Sequence, residues 1–182
     1  PASEVDLREL LERLLDSDVP PHIATRLRFA PDVPLVHAHY DALQRAFRNL
    51  VRNAVEAMDP AAAGVGTRRA QDGTQVEAGS ATTRRQHPML GIEVRMAGEQ
   101  VCIVVADNGR GIPAEHVDRL FEPDFTLKAG GTGLGLAVVR QAIAAHGGSV
   151  AAASRPDGGA EFTVRLPVEP TGAAVHASGG PA

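Results

Sequence analysis

Hydrophobic and polar residues follow two different periods along this chain. Between residues 5 and 15, Leu7, Leu10, Leu11, Leu14 and Leu15 recur three and four apart, the spacing of one helical face. Asp18-Val-Pro-Pro21 ends that helix, since proline lacks the backbone donor and disfavours a helical residue before it. Residues 23–29 alternate roughly by two and read as a strand. The clearest helix covers residues 41–58, with Leu43, Phe47, Leu50, Ala54 and Met58 on one face. Its opposite face is a polar stripe of Arg45, Asn49, Arg52, Asn53 and Glu56.

Over residues 59–88 the character changes to Gly, Ala, Thr, Ser, Gln and Arg with almost no large apolar side chain. A stretch of that length without structure is uncommon inside a compact domain and is expected here to be a flexible insertion. Two strand signals follow, residues 90–96 and 101–106, separated by the turn Gly98-Glu-Gln. The second is unbroken in its apolar character, which predicts cover on both faces. A helix over residues 134–146 closes at Gly147-Gly148. Strands at 149–154 and 160–166 are joined by Pro156-Asp-Gly-Gly159. The expected fold class is α+β: a two-layer α/β sandwich, its sheet mixed but mainly antiparallel, with helices on one face. The expected organisation is a helical lead-in at 1–19, one domain at 20–167 and a disordered tail at 168–182.

Composition narrows the function classes. Hydrophobic residues make up 43% and charged residues 22%, ordinary for a globular domain. The net charge of −4, with both signs dispersed, argues against a nucleic-acid binder driven by phosphate contacts and leaves a local patch as the alternative. Cys102 is the one cysteine, so there is neither an intramolecular disulfide nor a cysteine-based zinc site, and a cytoplasmic setting fits. No stretch approaches the ~20 apolar residues that cross a bilayer, so no membrane contact is expected of this segment. The opening Pro1-Ala-Ser-Glu-Val-Asp has no initiator methionine and no signal pattern, as expected for a piece of a longer chain whose parent can still be membrane-anchored.

Three constellations carry candidate chemistry. Asp107-Asn-Gly-Arg-Gly-Ile112 follows directly on the apolar strand. Gly109 and Gly111 permit close backbone approach and positive φ, and Asp107 is an acceptor-only carboxylate suited to an adenine amino group. A plain strand–turn with a solvated aspartate fits the hexapeptide equally well. Gly130-Gly-Thr-Gly-Leu-Gly-Leu136 opens a helix, where free N–H groups and the helix dipole suit phosphate, although a hinge would use glycines too. It is not a Walker loop, because no Gly-Lys-Ser/Thr follows. Asn49 and Asn53 share a helix face, and an amide oxygen is a hard ligand of the kind Mg²⁺ takes beside phosphates and water.

In this order the motifs resemble those of the ATP-binding catalytic domain of histidine kinases, in the ATPase superfamily shared with gyrase, Hsp90 and MutL. Residues 43–58, Leu-Gln-Arg-Ala-Phe-Arg-Asn-Leu-Val-Arg-Asn-Ala-Val-Glu-Ala-Met, look like the asparagine box. Residues 107–113 look like the first glycine box, Leu120-Phe-Glu-Pro-Asp-Phe-Thr-Leu-Lys128 like the phenylalanine box, and residues 131–136 like the second glycine box. Residues 159–167 are similar to the family's last strand, and the wording is nearest to nitrogen-regulation-type sensor kinases.

The resemblance implies a Bergerat-type sandwich with an ATP lid, binding ATP and Mg²⁺. It assigns Asp107 to the adenine amine, Gly109 and Gly111 to the base pocket, Ile112 to the nucleotide-binding set, and Asn53 to the metal. Asn49 becomes a polar contact near the phosphates, and Lys128 a mobile charge reaching the γ-phosphate. Phe121, Gly131, Thr132, Gly133, Leu134 and Gly135 complete the nucleotide set, with Asn49 and Lys128 as the catalytic pair. Asp124 stands where relatives often carry an aromatic and Leu127 where they carry Thr, whereas Phe121 and Phe125 are retained.

Hydrolytic members of the superfamily carry a glutamate four residues before the metal-binding asparagine. That position is Asn49, which cannot act as a general base, so transfer to a histidine is favoured over hydrolysis. Glu56, one turn further along, is a conceivable substitute base. None of His22, His37, His39, His87, His116, His146 or His176 has the acidic-then-proline context of a phosphoacceptor. The implied partners are a histidine-containing dimerisation domain of the parent kinase and, indirectly, a response regulator. His37 and His39, two apart, read as surface histidines or as a pair of metal ligands on a strand. A stand-alone ATPase or serine kinase of the same fold, and a nucleotide-binding module without catalysis, are the alternatives.

Overall fold

The computed structural model describes residues 2–59, 87–125 and 134–169. The interior of the expected insertion and the expected tail from residue 170 lie outside them.

The chain begins with a short strand, β1 (Ser3–Val5), and helix α1 (Leu7–Asp18). Asp6 starts α1 by accepting the N–H groups of Arg8 and Glu9 at 2.8 and 3.2 Å, which satisfies donors no helical turn can reach. Strands β2 (Ala24–Phe29) and β3 (Val36–Ala38) lead to helix α2 (Tyr40–Ala57). The hairpin β4 (Met89–Ala97) and β5 (Gln100–Asp107) follows, then a 3-10 helix (Ala114–Arg119), helix α3 (Gly135–Ala145) and the hairpin β6 (Ser149–Ser154) and β7 (Ala160–Pro167).

Five strands form the main sheet in the order β2-β4-β5-β7-β6, antiparallel except for the parallel pair β2–β4. β1 and β3 make a separate antiparallel pair at the start of the fold. The apolar faces of α1 and α2 do what their spacing requires. Leu7, Leu10, Leu11 and Leu14 are buried, with Leu43, Phe47, Leu50 and Val51, against Leu90, Ile92, Ile103 and Val164 of the sheet. Val139 and Ile143 bring α3 into the same core. Helices thus cover one face of a mixed, mainly antiparallel sheet, the α+β sandwich that the sequence predicts.

Two features depart from the sequence pattern. The pair β1–β3 was not expected, since three-residue strands carry almost no periodic signal. Strand β5 is covered fully on one face only. Cys102 is 1% exposed on the other, but Val104 and Ala106 beyond it are only half-buried. Among the described residues Cys102 pairs with Arg95 on one side and Arg165 on the other, and long arginine stems shelter apolar surface.

Candidate functional site

Strand β5 is the middle strand, and it ends on Asp107, the one buried charged residue among those described, at 2% exposure. Its Oδ1 accepts N–H groups from Gly109 at 2.8 Å and Ala160 at 3.3 Å. Both donors fall on one oxygen. Burial pushes the Asp107 carboxyl above the ordinary carboxylate range, while those two hydrogen bonds and the positive charges of Arg155 and Arg110 pull the other way.

The turn after Asp107 is fastened from three sides. Asn108 accepts the N–H of Met89 and donates to the carbonyl of His87, both at 2.8 Å, tying the turn to the start of β4. Gly109 lies against the end of α2: a Cβ there would meet the Ala57 carbonyl oxygen at 2.5 Å, and Arg110 donates its N–H to that oxygen at 3.1 Å. Gly109 is therefore required by helix packing as well as by any ligand. Gly111 has φ +73°, the left-handed region that glycine enters without strain. Ile112, half-buried, donates its N–H to Ser154 Oγ at 3.1 Å, and the same hydroxyl donates back to its carbonyl. Arg155 donates to the Asp107 carbonyl at 3.1 Å. Ser154 and Arg155, at the end of β6, together with Ala160 thus form the back of the turn.

On the helix layer, Asn49 and Asn53 are both half-buried on α2. A Cβ on Gly135, the first residue of α3, would lie 3.8 Å from Asn49 Oδ1. Leu134 occupies the N-cap of α3 without a side-chain cap bond and is 49% exposed, so the first N–H groups of that helix are not closed off by their own cap residue. The asparagine box and the last residues of the second glycine box therefore meet, although they are some eighty positions apart in sequence. Glu56 receives a hydrogen bond from Arg52 at 3.1 Å and is held as an ion-pair partner along α2.

Phe121 is buried and meets Phe162 of β7 edge-on, ring centroids 6.3 Å apart, so it anchors this segment in the core. Phe125 lies between the His116 ring at 5.4 Å and the Arg119 guanidinium at 4.6 Å. Asp124 has φ +65°, a conformation aspartate tolerates better than an aromatic residue does. Lys128, Gly131, Thr132 and Gly133, with Leu127, lie outside the described residues. Of the two candidate ligands His37 and His39, both exposed, His39 donates its backbone N–H to His146 Nε2 at 3.0 Å, and its ring meets the His146 ring edge-on.

Asn108, Ser154 and Arg155 were not singled out from sequence. Asn-Gly after a strand is a turn signal that marks Asn108. Nothing local marks a strand-end serine or arginine whose partner is 42 or 48 residues away.

A family model described as histidine kinase-, DNA gyrase B-, and HSP90-like ATPase matches residues 38–170. The chain is 34% identical over 148 residues to the sensor histidine kinase ZraS of Escherichia coli (strain K12), spanning 80% of this chain and 26% of that protein. It is 32% identical over 164 residues to the sensory histidine kinase/phosphatase NtrB of Klebsiella oxytoca, spanning 88% of this chain and 41% of that protein. The chain thus spans less than half the length of these relatives. In fold it is similar to the catalytic domain of the histidine kinase ThkA, with TM-score 0.72 at 24% identity over 93% of this chain and 97% of that one. With a match across most of its length laid over an asparagine helix, a buried strand-end aspartate and a glycine-led helix in one place, the chain belongs to the histidine kinase-, DNA gyrase B-, and HSP90-like ATPase family.

Proposed function

We propose that this chain binds Mg-ATP and donates the γ-phosphoryl group to a histidine on a separate helical dimerisation domain, in cytoplasmic two-component signalling. The observation that carries the reading is Asp107: a buried carboxylate whose two described donors both use Oδ1, leaving Oδ2 for the exocyclic amine of adenine. Guanine presents a carbonyl at that position, and two acceptors would oppose each other. Gly111 and Ile112 line the base, held by Ser154. The N-terminus of α3 and its glycines take the phosphates, with Lys128 reaching the γ-phosphate.

The donor set fits a magnesium ion carried by nucleotide. Among the described residues no group of three or more His, Cys, Asp or Glu is placed to hold a metal, so most of its oxygens would come from phosphates and water. Asn53 would hold Mg²⁺ through its amide oxygen, and the ion when bound supplies charge neutralisation across the phosphates. Asn49, beside Gly135, orients phosphate oxygens or water through its amide and has no proton-accepting role. Glu56, the carboxylate one turn beyond Asn53 on the polar face of α2, is paired with Arg52 along the helix surface. An imidazole nitrogen needs no general base: it attacks the γ-phosphorus as the bond to the ADP oxygen breaks. The response regulator would then take the phosphoryl group from that histidine. Calorimetric titrations of the chain with ATP and with GTP, each with Mg²⁺, test the nucleotide reading. ATP binding at least about tenfold tighter is expected, and equal affinities would remove Asp107 from the base pocket.

A further inference from the structure

The sheet face turned away from the helices lies outside the residues assigned to the nucleotide, apart from Arg155, which also holds the Asp107 carbonyl. Arg26 and Arg28 of β2 stand there beside Gly91 and Glu93 of β4, which pair in turn with Ala106 and Val104 of β5. With Arg155 and Glu161 they border a trough of about 240 Å³ whose floor includes Gly91, Val104 and Ala106. Arg95 and Arg165 continue the face on either side of Cys102. Five arginines therefore meet two glutamates here, on a chain whose net charge is −4. Arg95 approaches Glu93 at 3.8 Å, whereas Arg26, Arg28 and Arg165 make no ion pair among the described residues.

We propose that this face docks an extended acidic segment of a partner protein, laid along the β2 edge with carboxylates two residues apart. Arg26 and Arg28 lie on one face of a strand, so their Cα atoms are about 6.6–6.8 Å apart, the spacing of alternate side chains in a second extended segment. Among the described strands β2 stands at the sheet edge with β4 as its one neighbour, which leaves room for that approach. A nucleic acid fits less well. Glu93 and Glu161 sit within the arginine frame and would repel a continuous run of phosphates, whereas a peptide can set an amide or a cation over them. Protection of an exposed edge would account for Arg26 and Arg28 but not for Arg165, which lies on β7, away from β2.

The test is fluorescence anisotropy with a labelled peptide of alternating Glu and Ala, using the full chain at modest salt. The wild type should bind the peptide, and the double substitution Arg26→Glu with Arg28→Glu should weaken binding by about tenfold or more. An unchanged thermal unfolding midpoint shows that the variant is folded. Three results overturn the proposal: no binding by the wild type, equal binding by both proteins, or tighter binding of a single-stranded oligonucleotide through the same two arginines.

Discussion

Replacing Asp107 by asparagine exchanges one oxygen for an NH₂ and removes one charge at the end of β5. The substituted amide can keep both described hydrogen bonds, because its carbonyl oxygen can stand where Oδ1 accepts from Gly109 and Ala160. The other atom becomes a donor facing the adenine amine, itself a donor. A hydrogen bond to a charged group contributes about 1.5–3 kcal/mol, so ATP affinity should fall about 10- to 150-fold. The fold should not suffer in step, since desolvation is the largest influence on Asp107 and the neutral amide relieves it. Calorimetry with Mg-ATP beside thermal unfolding reads both quantities. Unchanged affinity in a folded Asp107→Asn protein refutes the adenine assignment.

Acidity gives the same residue a second signature. Protonation of Asp107 removes the charge that strengthens its bond to the adenine amine, so the ratio of wild-type to variant affinity should shrink as the pH falls through the raised value of this group. Stability runs the other way. Because the folded state takes up this proton more readily than the unfolded chain, the group's contribution falls as pH rises from the ordinary carboxylate range through the raised value. Asp107→Asn should flatten that slope, and denaturant titrations across the acidic range measure it.

Other perturbations separate binding from packing. Ser154→Ala should weaken ATP binding by about 1 kcal/mol while leaving tripolyphosphate binding unchanged, and Ser154→Thr should restore it, because the hydroxyl holds Ile112 at the base and not at the phosphates. Gly109→Ala should lower stability by about 1–3 kcal/mol in denaturant titrations, since its Cβ would stand 2.5 Å from the Ala57 carbonyl oxygen. His146→Ala should cost about 0.5–1.5 kcal/mol per lost hydrogen bond, to His39 and Ala142, with ATP affinity unchanged. Those contacts lie near the start of α2, roughly 15 Å along the helix from Asn49.

Helices α1 and α2 were legible because Leu7 to Leu14 and Leu43 to Ala54 carry an uninterrupted helical period, and each observed helix lies within three residues of its expected bounds. The later strands were legible because β4 and β7 alternate as half-buried strands do. The parallel pairing of β2 with β4 was not, since it joins Ala24 to Met89 across the helix layer and the long segment at residues 60–86. The motifs named Asp107, Asn49 and Asn53, but not why the site keeps its shape. That rests on Ser154, Arg155 and Asn108, whose bonds span 19 to 48 residues and leave no local pattern. Gly109 was attributed to ligand approach, yet the carbonyl of Ala57 independently demands it. Strand β5 was expected to be sheltered on both sides, because a run of Val, Ile and Cys looks alike under helices or under arginine stems.

The central claim is that this nucleotide site passes its phosphoryl group to histidine and not to water. The direct measurement mixes the chain with γ-labelled ATP, Mg²⁺ and a separately made helical dimerisation domain carrying its histidine, then follows label on protein against free phosphate. The account predicts label on that domain that is lost in acid and kept in base, as phosphohistidine is, with little free phosphate from the chain alone. Label that survives acid as a phosphoester, or rapid release of free phosphate with no labelled protein, would contradict it.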